Sequence, residues 1–84
     1  MNKVNPYDVA IGKIFATKRK ELGITQAELG KQFGLSNQII CNYENGHRSM
    51  NASLFFNICD FYKLDVNKIA RDVINEVALI EKSK

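Results

Sequence analysis

The sequence predicts an all-α domain of five helices, and three observations predict it. A side chain suited to an N-cap precedes each of five apolar stretches, at Asn5, Thr25, Ser36, Asn51 and Asp65. Behind each cap the apolar residues recur at spacings of three and four instead of alternating. The 84 residues contain one proline and no low-complexity run or Gly/Ser-rich linker, so a single domain over residues 1–84 is expected.

The first helix opens with Asn5 as cap and Pro6 at the first helical position, where the missing N–H is harmless and the fixed φ is already helical. It should end at Gly23. Ile11, Phe15 and Leu22, with Ile14 beside them, are expected to face inward, and Lys13, Thr17, Lys18 and Lys20 outward. The second helix starts with a capping box, in which Thr25 accepts from the backbone of Glu28 and the Glu28 side chain reaches back. Ile24 and Leu29 form a hydrophobic staple. This helix runs to Phe33 and stops at Gly34, a residue able to adopt the left-handed conformation of an abrupt turn.

Only Leu35 separates that stop from the next cap, Ser36. The third helix is short and ends near Glu44, before the turn pair Asn45-Gly46. Ile39, Ile40 and Tyr43 take its inward side, leaving Asn37, Gln38, Cys41 and Asn42 to project outward or sideways. The fourth helix follows Asn51 and should bury Leu54, Phe55, Ile58, Phe61 and Tyr62. The fifth follows Asp65 to about residue 81 and is too apolar for one buried face. Val66, Ile69, Ala70 and Val73 suffice to cover a core. A symmetric dimer contact is therefore expected from Val73, Ile74, Val77, Leu79 and Ile80, with Glu81 to Lys84 fraying into solvent.

Composition is permissive about function. Twelve Lys and Arg against nine Asp and Glu give a net charge of +3, which suits a polyanionic partner without establishing one. No catalytic triad, metal set or phosphate-binding loop is present, so no enzyme, metal or cofactor is expected. Cys41 and Cys59 lack the paired spacing of a zinc site and read as buried or half-buried thiols. The polar stretch from Met1 to Tyr7 does not resemble a signal peptide, and no apolar run approaches the ~18 residues of a membrane span. A reduced, cytoplasmic protein with no membrane partner is expected.

Two short helices joined through a tight turn at Gly34 describe a helix-turn-helix, whose second helix enters the DNA major groove. From Ile11 to about Ile69 the chain resembles the Cro and C1 repressor type of helix-turn-helix protein, the XRE family. The resemblance lies in Gly23-Ile24-Thr25-Gln26, Glu28-Leu29, Gly34-Leu35-Ser36, Ile40 and Tyr43-Glu44-Asn45-Gly46. It implies a lambda-repressor-like fold and a sequence-specific transcriptional regulator. Gly30 departs from the family pattern, standing where alanine is usual, which keeps the residue small but lowers helix propensity by about 1 kcal/mol.

Residue by residue, the resemblance makes Arg19 and Glu44 a structural ion pair between the first and third helices. It assigns a phosphate contact to Gln26 at the dipole-favoured start of the second helix, with a brace to Asn37. Thr25 is a cap whose backbone N–H lies near the same phosphate. Asn37, Gln38 and Asn42 match the base-reading positions, where an amide can donate and accept at once and so pair with adenine N6 and N7. A half-site with prominent adenine contacts is expected, because the third helix offers no Arg or Lys for guanine. Cys41 either touches a thymine methyl or sits at the helix shoulder. Asn45, His47, Arg48 and Ser49 form a loop along the DNA backbone, assisted by Lys31 and Lys18. One short helix reads few base pairs, so the expected partner is a palindromic double-stranded operator bound by a homodimer that blocks or helps polymerase. The alternative is an antitoxin or another interaction module whose main partner is a protein such as a toxin.

Overall fold

All five caps close the first turn of a helix in the computed structural model, which describes residues 4–83. The elements are α1 (Pro6–Glu21), α2 (Gln26–Phe33), α3 (Asn37–Glu44), α4 (Ala52–Phe61) and α5 (Val66–Lys82), with no strand among the described residues. Asn5 accepts from the Tyr7 N–H at 2.8 Å, Ser36 from Ile39 at 3.2 Å, Asn51 from Leu54 at 2.8 Å and Asp65 from Asn67 at 2.9 Å. At Thr25 the capping box is complete. The Thr25 hydroxyl accepts from the Glu28 N–H at 3.0 Å, and Glu28 Oε1 accepts the Thr25 N–H at 2.9 Å.

The helix ends share one device. After α1, α2, α3 and α4 the chain turns through a left-handed residue, and the next N–H reaches back five residues to a helix carbonyl. These bonds are Ile24 to Arg19, Leu35 to Gly30, His47 to Asn42 and Leu64 to Cys59, at 2.8 to 3.1 Å. Glycine supplies the left-handed residue three times, at Gly23, Gly34 and Gly46, but after α4 it is Lys63, with φ 59°. No glycine marks that end, so the sequence there carries no stop signal.

Helix α1 packs on both α3 and α5. Phe15, 1% exposed, sets its ring 5.6 Å from Phe55 and 6.1 Å from Tyr62, while Phe33 of α2 meets Phe61 of α4 edge-on at 5.6 Å. Where α1 passes the end of α3 there is no room for a side chain: a Cβ on Gly12 would lie 2.6 Å from the Glu44 carbonyl oxygen. No helix among the described residues is long and apolar enough to cross a membrane.

Packing corrects several sequence expectations. Leu22 is 50% exposed, because α1 stops at Glu21 and the inward place in its last turn goes to Arg19. On α5 the buried seam is Ile69, Val73 and Val77, one residue per turn. Val73 and Val77 are therefore consumed by the chain's own core, and Ile80 packs partly against it. Val66 and Ala70, expected to cover the core, are exposed. Of the residues assigned to a dimer contact, only Ile74 and Leu79 stand free, at 61% and 60% exposure. They are five positions apart, on the order of 140° around the helix, and so lie on opposite flanks of the seam. The tail does not fray where expected, since α5 continues through Glu81 to Lys82. Residues 1–3 and 84 lie outside the described residues, and with them part of the polar N-terminal stretch and the last residue of that tail.

Candidate nucleic-acid interface

The interface is built on the turn between α2 and α3. Gly34, with φ 67°, reverses the chain, and the Leu35 N–H closes on the Gly30 carbonyl at 2.8 Å. The two helices meet so closely here that a Cβ on Gly30 would fall far inside contact distance of the Leu35 carbonyl oxygen and 3.2 Å from its carbon. Glycine at this position is thus a steric requirement of this turn, beyond the smallness inferred from sequence. Ile40 and Tyr43 anchor the inner side of α3 at 1% and 9% exposure. Asn37 and Gln38 are exposed, while Cys41 and Asn42 are half-buried at the sides.

A buried polar cluster ties this unit to α1. Arg19 Nε donates to Glu44 Oε2 at 2.7 Å and Nη2 to Oε1 at 3.0 Å, a two-pronged pair. Arg19 Nη1 donates to the Ile24 carbonyl at 2.8 Å, so the same guanidinium also holds the chain entering α2. Hydrogen bonding to Glu44 raises the Arg19 pKa above its ordinary value, against the opposing effect of burial. Gln26 joins the cluster, its Nε2 donating to Glu44 Oε1 at 2.9 Å. This bond takes the place of the expected brace to Asn37. It orients the amide at the start of α2 and leaves its second N–H for a ligand. Residues 18 positions apart meet here, so no local pattern could have disclosed it.

The remaining candidates are distributed unevenly. The Thr25 N–H, expected near a phosphate, is donated to Glu28, whose carboxyl is held below its ordinary pKa by that bond. First-turn geometry leaves the Gln26 and Ala27 amides without helical partners. Gln38 Nε2 donates to Asn42 Oδ1 at 3.2 Å, and Asn45 Nδ2 to Cys41 Sγ at 3.3 Å. In the loop after α3, the Arg48 guanidinium lies 5.8 Å from the Tyr43 ring centroid and His47 is exposed. The Ser49 hydroxyl donates to the Asp8 carboxylate, which commits its proton and sets an acid where a phosphate contact was expected. Lys31 is exposed in the last turn of α2. Lys18 is displaced from the group: it lines a groove between α1 and α5, 4.0 Å from Glu21. Cys41 and Cys59 are both free thiols, and burial pushes the Cys59 pKa up, away from reactivity. Among the described residues no group of three or more His, Cys, Asp or Glu could hold a metal ion.

Residues 15–69 match the model of the helix-turn-helix family. Relatives of the chain include two proteins named as uncharacterized HTH-type transcriptional regulators, from Sinorhizobium medicae and Rhizobium meliloti. Each is 33% identical over 70 residues, which is 83% of this chain and 50% of the relative. The chain spans about half the length of these curated relatives. No solved structure matches it with comparable significance.

Proposed function

The chain belongs to the helix-turn-helix family of the Cro/C1 type, and on that premise we propose that it regulates transcription by binding a specific double-stranded DNA operator. The observation that carries the reading is the attachment of α3. Its apolar side is buried, its amides are presented on the other side, and Glu44 at its end holds Gln26 at the start of α2. A base-facing surface and a phosphate anchor are thereby joined without an intervening flexible segment.

In this reading Asn37, Gln38 and Asn42 contact base edges, with Cys41 on the shoulder beside them. Gln26 donates its free N–H to a phosphate, next to the open amides of the first turn of α2. Lys31, Asn45, His47 and Arg48 supply further backbone contacts. Ser49 and the Thr25 N–H contribute less, since Asp8 and Glu28 already occupy them. Two copies on a palindrome place their α3 helices about 34 Å apart on one DNA face, and occupancy of that site controls an overlapping promoter. The dimer contact on α5 centres on Ile74, flanked by Ala70 and Ala78, because Val73 and Val77 face inward.

Selection of bound sequences from random duplex DNA tests the reading. A palindrome should emerge whose columns relax separately in Asn37→Ala, Gln38→Ala and Asn42→Ala, each by roughly 1 to 3 kcal/mol. Affinity should fall linearly in log–log against salt, with a slope near −0.9 per phosphate contact. Failure to enrich any sequence at low salt would sink the proposal. Analytical ultracentrifugation of Ile74→Asp addresses the dimer, which is abandoned if self-association matches the unaltered protein.

A further inference from the structure

An acid stands beside the loop that lies along the DNA backbone in the reading above. Asp8, in the first turn of α1, is half-buried, and its carboxylate accepts the hydroxyl proton of Ser49 across 41 positions of sequence. The start of a helix favours a carboxylate, which accounts for an acid at this end of α1 but not for its bond to a distant loop. Beside a polyanion the same charge would by itself weaken binding. The loop between α3 and α4 is pinned on both sides of His47 and Arg48. Before them Gly46 is buried against α1, so closely that a Cβ there would stand 2.8 Å from the Val9 Cα and 2.7 Å from its Cγ2. After them Ser49 is held by Asp8. Inside this bracket the His47 N–H closes on the Asn42 carbonyl at 2.9 Å, and the Arg48 guanidinium lies 5.8 Å from the Tyr43 ring centroid. His47 and Arg48 are both exposed. Asp8, Val9 and Gly12 share one face of α1, so a single helix face supports the loop and, at Gly12, the end of α3.

We propose that Asp8 is a positioning residue for DNA binding: by holding Ser49 it fixes the course of the loop and so directs Arg48 to a phosphate. A loop free at that end would have to be ordered, together with its arginine, when DNA arrives; the bracket orders it during folding and lowers the cost of binding. This inference rests on the DNA-binding role proposed above and adds to it a residue that itself touches no DNA. It also reverses the sign expected from charge. Removing a carboxylate beside a phosphate contact should tighten binding by electrostatics alone, whereas loss of the bracket weakens it.

Affinities for the selected operator and for a random-sequence duplex of equal length, measured over a range of salt concentrations, test the proposal. Asp8→Ala should weaken binding to both duplexes by roughly tenfold, because a hydrogen bond to a charged group is lost and phosphate contacts carry no sequence information. Its log–log salt slope should become shallower by about 0.9, the equivalent of one phosphate contact. Asp8→Asn keeps a carbonyl oxygen for the Ser49 hydroxyl without the charge, and should recover the affinity lost in Asp8→Ala. Ser49→Ala, a change at an exposed residue, should weaken binding as Asp8→Ala does, and the two together should cost no more than either alone. Arg48→Ala should weaken binding in the unaltered protein and change little in the Asp8→Ala background. Loss of stability alone would not produce that coupling, provided thermal melting by circular dichroism shows each variant folded at the assay temperature. Unchanged or tighter binding by Asp8→Ala, the mark of a merely repelling acid, overturns this inference and leaves DNA binding intact. So does an Asp8→Asn variant that binds no better than Asp8→Ala, or an Arg48→Ala loss of equal size in both backgrounds. Absence of binding to either duplex by the unaltered protein at low salt overturns both this inference and the reading it rests on.

Discussion

Replacing Glu44 by alanine should destabilise the domain by about 3 kcal/mol, at the lower end of the ~3 to 5 kcal/mol expected for stranding a buried charge. The carboxylate side chain is 6% exposed and accepts three hydrogen bonds, from Arg19 Nε at 2.7 Å, Arg19 Nη2 at 3.0 Å and Gln26 Nε2 at 2.9 Å. Summing these at roughly 1.5 to 3 kcal/mol each would overstate the loss, because water enters where the carboxylate leaves. What persists is the guanidinium of Arg19, 8% exposed, with the Ile24 carbonyl as its remaining partner at 2.8 Å. Arginine does not escape by losing its proton. For a domain of this size each kcal/mol is worth ~4 to 8 °C, so the melting temperature should fall by on the order of 12 °C or more. Urea unfolding followed by far-ultraviolet circular dichroism measures the change, with an unaltered m value marking a loss of stability alone. The decisive arm is Arg19→Met with Glu44→Leu. If the cost is a stranded charge and not a lost attraction, the double variant should recover most of the stability that either single change removes. A Glu44→Ala loss under about 1 kcal/mol, or a double variant as unstable as the sum of the singles, would refute the stranded-charge account.

Three other outcomes follow from the packing. Gly30→Ala, despite a gain in helix propensity of about 1 kcal/mol, should lower stability by about 1 to 2 kcal/mol, since the new Cβ meets the Leu35 carbonyl and backbone must shift; chemical denaturation decides the sign. Lys63→Gly should stabilise by roughly 0.5 to 1 kcal/mol, because φ 59° strains lysine and suits glycine; its urea midpoint should rise. Tyr62→Phe should cost nothing or gain a few tenths of a kcal/mol, as the hydroxyl is buried without a hydrogen-bond partner. Burial also raises the Tyr62 pKa from 10.0 to about 12, so the stability this group contributes is complete below pH 10 and lost as pH rises toward 12. The Phe variant should therefore gain on the unaltered protein in urea midpoints compared at pH 7 and pH 11.

Local chemistry was legible in the sequence because it spans few residues. The caps at Asn5, Thr25, Ser36, Asn51 and Asp65 bond to N–H groups two or three positions away, and Gly34 closes its turn over five. Side-chain type and spacing alone carry that information, which is why five helices and a helix-turn-helix could be read directly. Among the four ends that turn through a left-handed residue, the one without a glycine, at Lys63, lacks the signal too.

Only the tertiary structure decided how that motif is held and which of its groups remain free. Helical periodicity marks an apolar stripe without saying where a neighbour ends, so by pattern alone Leu22 reads as inward and Val73 and Val77 as available to a partner. The end of α1 at Glu21, with Arg19 turned inward, reversed the first assignment, and the burial of α5 against α1 reversed the second. Hydrogen-bond competition is likewise nonlocal: Glu44 claims Gln26 across 18 positions, and Asp8 claims Ser49 across 41. Sequence by itself determined that α3 would turn amides away from its apolar side. Which polar groups around them are already taken, Gln26 by Glu44 and Ser49 by Asp8, depends on bonds that form only once separate helices pack together.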